Sequence, residues 1–184
     1  MSITVEQAQT AMQHAECLHS AEAVQAAIKS LAADITAVLA DKDPLFICVM
    51  NGGLVTAGHL LAHLPFPLQV DYLHATRYRG ETAGAADVHW LCRPQNSLKG
   101  RHVLLVDDIL DEGHTLREIV RWCQAQEPAS VRVAVLIEKI HNRRNPEAQV
   151  DFCALQVPDR YVFGFGMDYK EYWRNADGIY AAGE

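Results

Sequence analysis

A short acidic segment carries the residues whose types and spacing are best suited to chemistry. Asp107, Asp108 and Asp111 follow an apolar run, and Gly113 and Thr115 come directly after them. Ligands of α/β sheets bind beyond the carboxyl ends of the strands, where we expect 107–115 to form a loop that leads into a helix. One or two acids here would be explained as helix caps, each worth about 0.3–1 kcal/mol. Three aspartates that begin at the end of a predicted strand are more than helix capping needs, and they indicate a ligand site.

The segment combines groups that attract a phosphate with groups that repel it. The free N–H groups and the dipole of the following helix form an anion site, to which Gly113 adds a tight turn and Thr115 a hydroxyl donor. A Walker loop would add a lysine, and its G-x-x-x-x-G-K pattern is absent from the sequence. A sugar phosphate reconciles the two sets, because Asp107 and Asp108 can then accept hydrogen bonds from ribose hydroxyls or contact a divalent cation.

The elements around this segment predict an α/β fold with a central, mainly parallel sheet flanked by helices. Apolar runs at 103–106 and 131–137, separated by a helical pattern, predict a right-handed βαβ unit. Thr4 and Gln7 form a capping box, and Ser20 can cap a second helix. The other predicted elements are a helix ending near 39, a strand at 45–50, a helix at 55–64, a strand at 68–75 and a polar loop at 76–86.

Length and composition limit the class of protein. With 184 residues and no internal repeat or linker, the chain is predicted to form one domain over 1–184. The predicted parts are N-terminal helices over about 4–39, a sheet core over about 45–140 and a small hood mainly over about 151–184. The 16 basic and 23 acidic residues give a net charge of −7, which argues against nucleic-acid binding.

The apolar segments and the cysteines indicate where the protein works. The apolar runs are too short to span a membrane, and the first residues lack the features of a secretory signal. The five cysteines contain no C-x-x-C pair, which suits reduced thiols better than disulfides or a zinc site. We therefore expect a cytoplasmic protein that acts on small molecules, with no membrane and no nucleic acid among its partners.

Residues 103–116 (VLLVDDILDEGHTL) resemble the phosphoribosyl-pyrophosphate (PRPP) signature of type I phosphoribosyltransferases, in which two acids, two apolar residues and D-x-G-x-T follow an apolar run. Segments 49–53, 135–139 and 158–174 resemble the pyrophosphate loop, the lysine-bearing strand and the base-binding hood of hypoxanthine-guanine phosphoribosyltransferases. The resemblance implies the type I phosphoribosyltransferase fold with a small hood. It also implies a magnesium-dependent purine-salvage enzyme that transfers the phosphoribosyl group from PRPP to hypoxanthine or guanine, giving IMP or GMP and pyrophosphate.

The resemblance implies which residues bind PRPP and the metal. Asp111 is the implied catalytic residue, a general base or hydrogen-bond acceptor at purine N7, and such a base is worth about 10²–10⁴-fold in rate. Mg²⁺ is implied at Asp107, Asp108 and Asp168. The implied ribose-phosphate residues are Asp107, Asp108, Asp111, Glu112, Gly113, His114 and Thr115, and the implied pyrophosphate residues are Asn51, Gly52 and Arg174.

The implied purine site combines the end of a strand with the hood. Lys139 would donate to the purine O6, and an adenine amino group there would leave this donor unpaired, at a cost of at least about 1–3 kcal/mol. Tyr161 would stack on the base, the Val162 carbonyl would accept from the amine of guanine, and Asp168 would complete the set. Taken alone, Lys139 would be a solvated charge and Tyr161 a core residue.

Several positions depart from the family pattern. Asn51 stands where a lysine is common, so its loop is expected to act mainly through the backbone. The predicted loop at 76–86, the implied lid, carries Arg77-Tyr78 where Ser-Tyr is usual, which leaves Tyr78 to cover the ligand. Glu112 and His114 replace small polar residues and Lys or Asn, and we expect their side chains to point outward.

Two alternatives and the assembly stay open at this point. His59 and His63 lie four residues apart on a predicted helix, as zinc ligands can, but the glutamate of H-E-x-x-H and a recognisable third ligand are absent. A regulator with the same fold could sense PRPP and bind RNA, since fold does not fix function. Such a regulator would not need the purine set around Lys139. Dimers and tetramers are usual in the family, which implies a homodimer or homotetramer.

Overall fold

The chain forms four helices and nine strands within the residues that the computed structural model describes, 3–77 and 88–183, with only the backbone of Arg77. The helices are α1 (Val5–Gln13), α2 (Ala21–Leu39), α3 (Gly53–Leu61) and α4 (His114–Gln124). The strands are β1 (Glu16–His19), β2 (Leu45–Met50), β3 (Gln69–Arg77), β4 (Val88–Cys92), β5 (His102–Leu110), β6 (Ser130–Ile140), β7 (Phe152–Pro158), β8 (Val162–Phe163) and β9 (Ile179–Ala181).

Side-chain caps explain where the two N-terminal helices begin. The Thr4 hydroxyl oxygen accepts a hydrogen bond from the Gln7 N–H at 3.2 Å, and Gln7 Oε1 accepts one from the Thr4 N–H at 2.9 Å. This reciprocal pair is the predicted capping box of α1. The Ser20 hydroxyl oxygen accepts the Ala23 N–H at 3.3 Å at the start of α2. Both predicted helix starts are confirmed.

Six strands form the main sheet in the order β4-β3-β2-β5-β6-β7, and all neighbours except β3 and β4 are parallel. Helices α2 and α3 pack on one face, and α4 packs on the other. β2 coincides with the prediction, since an apolar run buried on both faces suits a central parallel strand. The predicted α/β class is confirmed. No helix in the described part of the chain is both long and apolar enough to cross a membrane.

The strand that leads into the acidic segment is longer than predicted. β5 extends beyond the apolar run because its pairing with β6 continues as far as Leu110 opposite Glu138. Its pairing with β2 already ends at Cys48 opposite Val106. The prediction that Asp107 and Asp108 lie in a loop is therefore wrong. They belong to β5, at the point where β2 no longer flanks it.

A second, antiparallel sheet of order β1-β9-β8 forms the hood. Its make-up differs from the expected boundaries at two places. β7, expected with the hood, pairs with β6 in the main sheet and packs against α2, because its apolar residues join the main core. β1, expected within the helical N-terminal region, pairs with β9. Its four residues show no apolar alternation, so only a partner far along the chain makes them a strand.

The structure revises the elements predicted between 55 and 86. α3 begins at Gly53 and ends at Leu61, two to three residues earlier than the predicted 55–64. β3 includes Thr76 and Arg77, which the sequence places in a loop. The rest of that loop, 78–86, lies outside the described residues.

Among the described residues, none covers one face of the sheet near β3. The side chains of Val70 and Tyr72, two residues apart on β3, are 53% and 46% exposed. The helices on that side pack mainly over β2, β5 and β7, so they leave β3 open. Together with the exposed Leu54 of α3, the two residues line an apolar groove of about 520 Å³, which we call the uncovered face.

Candidate active site

Two carboxylates lie side by side where β5 loses its β2 neighbour. Asp107 Oδ1 accepts the Asp108 N–H at 2.9 Å, and Asp108 Oδ1 accepts the Ile109 N–H at 2.7 Å. Burial raises the pKa of both carboxyls, the charge of Asp108 raises the pKa of Asp107 further, and the Arg174 guanidinium partly opposes the shift. Burial, and then these two carboxylates, raises the pKa of Cys48 to about 12. A cation or hydroxyl donors would relieve this concentration of negative charge.

The turn after β2 lies against these acids. The peptide bond between Met50 and Asn51 is cis, and Asn51 is exposed at the turn. A Cβ at Gly52 would lie 2.1 Å from Asp108 Oδ2, and a Cβ at Gly166 of the hood would lie 2.2 Å from the Gly52 carbonyl oxygen. Because neither residue has a side chain, the turn, the end of β5 and the hood can meet at one point.

The next turn leads from β5 into α4. Gly113 has a φ of 79°, and a Cβ there would lie 2.3 Å from the Ala148 Cβ, so the turn needs a glycine twice over. In the described structure no side chain caps α4, which leaves its first N–H groups, near Thr115, for a ligand. His114 Nε2 lies 3.8 Å from Glu112 Oε2, so these two side chains turn toward each other. The geometry is that of an anion site made by the main chain.

Asp111 lies at the centre of a three-residue cluster. Lys139 Nζ donates to Asp111 Oδ2 at 2.7 Å, and His141 Nε2 lies 2.8 Å from Asp111 Oδ1. The side chain of Lys139 is 11% exposed and that of His141 only 2%, whereas Asp111 is 42% exposed. Partial burial opposes ionisation of Asp111, but the hydrogen bonds from Lys139 and His141 outweigh it and hold its pKa below the usual range. Asp111 is therefore an ionised acceptor facing an open space.

That open space is a cavity of about 220 Å³ between the strand ends and the hood. Tyr161 is 51% exposed on one side of it, and its hydroxyl donates to the Asp168 carbonyl oxygen at 3.3 Å and accepts the Lys170 N–H at 3.4 Å. An exposed aromatic ring fixed at its hydroxyl end suits stacking on a flat ligand. The cavity is lined by Asp108, Ile109, Asp111, Lys139, Tyr161, Val162, Met167 and Asp168.

Arg174 and Asp168 form a second ion pair at the rim. Arg174 Nη2 lies 2.8 Å from Asp168 Oδ1, and Arg174 Nη1 donates to the Gly166 carbonyl oxygen at 2.7 Å. Asp168 Oδ2 accepts the Glu171 N–H at 2.8 Å. The guanidinium is thus held beside the Gly52 turn, where it can meet an anion.

The carboxylates can be tested for their fit to Mg²⁺. Within 3–77 and 88–183 no group of three or more His, Cys, Asp or Glu side chains is close enough to hold a metal ion alone. Mg²⁺ is commonly bound by one or two carboxylates together with substrate phosphates. The pair Asp107 and Asp108 fits that arrangement, since a shared cation would offset their repulsion. Asp168 fits less directly, because both of its oxygens already have partners.

The structure brings most of the predicted site residues together. Of these residues, Asp108, Asp111, Lys139, Tyr161, Val162 and Asp168 line one cavity. Asp107 is the neighbour of Asp108 in β5, residues 112–115 form the turn into α4 beside Asp111, and Gly52 and Arg174 lie near Asp108 and Asp168. Of the two implied lid residues, Tyr78 lies outside the described residues and only the backbone of Arg77 is described.

His141 is the site residue that sequence reasoning missed. It lies two residues after Lys139, and alternate residues of an extended strand point to the same side, so the spacing held the signal. Its partner Asp111 is 30 residues away, and only the pairing of β5 with β6 brings them together.

His59, one of the two histidines considered as zinc ligands, has other side-chain contacts. His59 Nδ1 lies 3.1 Å from Gln25 Nε2, and its ring packs on Phe165 with the centroids 4.8 Å apart. These contacts explain His59 as a residue that packs α3 against α2 and the hood.

The chain is similar to known proteins in sequence and in fold. A family model described as phosphoribosyl transferase domain matches residues 14–172. The hypoxanthine-guanine-xanthine phosphoribosyltransferase of Tritrichomonas foetus is 34% identical over 158 residues, 86% of each chain. The hypoxanthine-guanine phosphoribosyltransferase of Streptococcus pneumoniae is 32% identical over 158 residues, 86% of this chain and 87% of that protein. A solved hypoxanthine-guanine-xanthine phosphoribosyltransferase superposes with a TM-score of 0.83 at 31% identity, covering 92% of this chain and 97% of that one.

The parallel sheet, the acidic end of β5 and the family match together show that the chain belongs to the phosphoribosyltransferase family, as an enzyme with the type I fold. Within that family, the resemblance to the hypoxanthine-guanine phosphoribosyltransferases is confirmed by these relatives.

Proposed function

We propose that this enzyme joins hypoxanthine or guanine to PRPP in purine salvage and releases IMP or GMP and pyrophosphate. The substrates named for its relatives support this class of base. The observation that carries the proposal is the pair of Lys139 and Asp111 at the cavity, an ammonium donor 2.7 Å from a carboxylate acceptor. A 6-oxopurine presents O6 and N7 as neighbours on one edge. Lys139 can donate to O6 while Asp111 accepts from N7–H.

The same pair selects against adenine. The amino group of adenine is a donor, so it would face the Lys139 ammonium donor to donor. Lys139 is buried, so the ammonium N–H directed at O6 would be left without a partner although Asp111 still accepts another, at a cost of about 1–3 kcal/mol or more. The site therefore favours bases with an oxygen at C6.

The sugar and its phosphates occupy the neighbouring parts of the site. The N-terminus of α4 takes the 5′-phosphate through main-chain N–H groups and Thr115, and Asp107 and Asp108 accept hydrogen bonds from the ribose hydroxyls. Arg174 and the turn at Asn51 and Gly52 bind the pyrophosphate. With the sugar and its phosphates bound in this way, C1′ of the ribose would lie near the base cavity.

The reaction is a displacement at C1′. Asp111 accepts the N7 proton of the base as N9 attacks C1′, and the bond from C1′ to the pyrophosphate oxygen breaks, so that its electron pair leaves with pyrophosphate. Positive charge develops on the sugar ring during this step. Asp107 and Asp108, which contact the ribose in this proposal, stabilise that positive charge through their own negative charges.

Mg²⁺ is the proposed cofactor. Asp107 and Asp108, with Asp168 at the rim, are the residues that would hold it together with PRPP. When bound, the ion neutralises charge on the pyrophosphate and favours its departure.

The test is nucleotide formation by the purified protein with PRPP, Mg²⁺ and one base at a time. We expect product with hypoxanthine or guanine, and at least about 10-fold less with adenine, from the cost of an unpaired donor. The same reaction in EDTA tests the metal, and an RNA shift assay tests the regulator alternative. No nucleotide with either oxopurine would refute the proposal.

We also propose that the enzyme assembles as a homodimer or homotetramer in the cytoplasm. The uncovered face supports self-association, because exposed apolar surface of this kind marks interaction sites. The five cysteines are all free, which suits a reducing compartment. Sedimentation velocity tests the assembly, and a single monomeric species at micromolar concentration would contradict it.

A further inference from the structure

His141 is the buried histidine closest to the reacting groups. It follows β6 directly, and its side chain is only 2% exposed. One ring nitrogen, Nε2, lies 2.8 Å from Asp111 Oδ1, and the other, Nδ1, receives the Arg143 N–H at 3.0 Å. Both nitrogens therefore have a polar partner, and the ring has one orientation in the free protein.

The second contact fixes which nitrogen carries the proton. A backbone N–H can only donate, so Nδ1 must be the acceptor and carries no proton. Nε2 then carries the ring proton and donates it to Asp111 Oδ1. This contact leaves Oδ2, the oxygen beside Lys139, for the ligand.

We propose that His141 is a positioning residue for Asp111. It anchors Oδ1 so that Oδ2 stays beside the Lys139 ammonium and faces the O6 and N7 edge of the base. Without this anchor the carboxylate could rotate or take Lys139 with both oxygens, and neither group would then be aligned with its purine atom. The role rests on the proposed function, since it acts through the general base of that reaction.

The segment that follows His141 holds the histidine in place. Arg144 donates to the Lys139 carbonyl oxygen at 3.0 Å, and the Asn145 N–H donates to the Glu112 carbonyl oxygen at 2.9 Å. The Arg143 guanidinium donates to both carboxylate oxygens of Asp159 in the hood. The connection from β6 to β7 therefore joins the end of β6, the turn from β5 into α4 and the hood. Within this connection, His141 is the residue that contacts Asp111.

Two variants separate positioning from simple packing. In His141→Gln the amide nitrogen can occupy the place of Nε2 and still donate to Asp111, whereas His141→Leu fills the space without a donor. We expect kcat with hypoxanthine to fall about 10- to 100-fold in H141L, as for other residues that orient a reacting group. We expect H141Q to recover most of kcat. KM for PRPP should change little in both.

The matched control is His102, which is also partly buried and paired through Nδ1, with the Ser130 hydroxyl at 2.8 Å. It begins β5, at the end of the strand away from Asp111. H102L and H102Q should therefore show the same kcat as each other. If H141L does not fold, His141→Asn replaces it, because its amide is too short to reach Asp111 and should lose kcat as H141L would.

A double-variant cycle tests whether His141 acts through Asp111. If it does, D111N with H141L should lose no more kcat than D111N alone, because non-additive losses are the mark of shared function. Losses that multiply would overturn the proposal, as would an H141L enzyme with undiminished kcat or an H141Q enzyme as impaired as H141L.

A measurement without catalysis separates this proposal from the proposed function. Carbon-13 NMR titration of the Asp111 carboxyl should give a higher pKa in H141L than in the wild type, and a value close to the wild type in H141Q. An unchanged pKa in H141L would overturn the contact itself. If the pKa of Asp111 differs between H141L and the wild type but the wild type forms no nucleotide, the contact exists and the proposed function is refuted. Any role of His141 in that reaction is then refuted as well.

Discussion

At the scale of single residues, the polar groups of the cavity are already paired in the free protein. Lys139 holds Asp111 at 2.7 Å, and Arg174 holds Asp168 at 2.8 Å. Lys139 is the most buried of the four, and leaving its charge unpaired would cost several kcal/mol, so Asp111 stabilises it in the empty pocket. A base that replaces one of these contacts must offer an equivalent hydrogen-bonding partner. The pairs therefore select bases by the donors and acceptors that they present.

Replacing Lys139 removes the donor that reads O6. In Lys139→Ala we expect kcat/KM for hypoxanthine to fall about 10- to 100-fold, the equivalent of a lost charged hydrogen bond, and the preference over adenine to shrink by a similar factor. Steady-state kinetics with both bases measures it. Lys99→Ala is the control, because Lys99 pairs with Glu127 on the surface. An unchanged ratio of the two bases would contradict the role.

Replacing Asp107 separates stability from activity. The pKa of this carboxyl is raised by burial and by Asp108, so its ionised form destabilises the fold. In Asp107→Asn we expect Tm at pH 7.5 in EDTA to rise by about 2–4 °C for each kcal/mol of relief, while PRPP turnover falls. The N–H of Asp108 keeps an oxygen acceptor in this variant. A lower Tm would contradict the argument.

The pH dependence of that difference has a definite sign. A carboxyl whose folded-state pKa is raised binds protons more readily in the folded than in the unfolded chain, so its cost is greatest at high pH and disappears as pH falls toward the unfolded pKa near 4. The Tm advantage of D107N should therefore shrink between pH 8 and pH 5. Thermal unfolding across this range measures it, and a gap that widens on acidification would contradict the argument.

At the scale of elements, the predictable parts are those whose signals are local. β2 and the starts of α1 and α2 follow from an apolar run and from capping side chains, which neighbours in sequence determine. β1, β9 and the far end of β5 exist because of partners distant in the chain. His141 was missed for the same reason, whereas Asp111 and Lys139 lie in segments whose own patterns resemble a known family.

The turn into α4 gives a prediction with an internal control. Gly113→Ala would place a Cβ 2.3 Å from Ala148 at a positive φ of 79°, and we expect a loss of about 1–3 kcal/mol in unfolding free energy together with weaker PRPP binding. Gly58→Ala lies in α3 with nothing within 4 Å of the new Cβ, and should stabilise by about 0.5–1 kcal/mol. Urea unfolding compares them. Equal effects of the two changes would show that the turn has no special requirement.

At the scale of the whole molecule, the N-terminal segment and the hood are held together by two polar contacts. Trp173 Nε1 donates to the Ala8 carbonyl oxygen of α1 at 2.6 Å, and Arg160 of the hood pairs with Glu16 of β1. The hood carries Tyr161, so these contacts also set the position of the ring beside the cavity. The position of Tyr161 in the base site therefore depends on α1 and β1, although both are far from the acidic segment in sequence.

The uncovered face belongs to this scale as well. Val70→Asp places a charge in its apolar groove, and we expect the assembly to dissociate, because a charged residue buried without a partner costs several kcal/mol. Val5→Asp is the matched control, since Val5 is exposed to a similar extent, 54% against 53%, at the first turn of α1. Sedimentation velocity distinguishes the two. Identical sedimentation of both variants and the wild type would place any interface elsewhere.

The pairing of β1 with β9 also bears on how the molecule is made. Synthesis proceeds from the N-terminal end, and domains fold as their parts emerge from the ribosome. β1 emerges early but must wait for residues 179–181 before it has a neighbour. The hood sheet is accordingly the last part of the fold to be completed. Incomplete translation products, truncated before residue 179, would carry both β5 acids and Lys139, but β1 and β8 would lack the strand that joins them into one sheet.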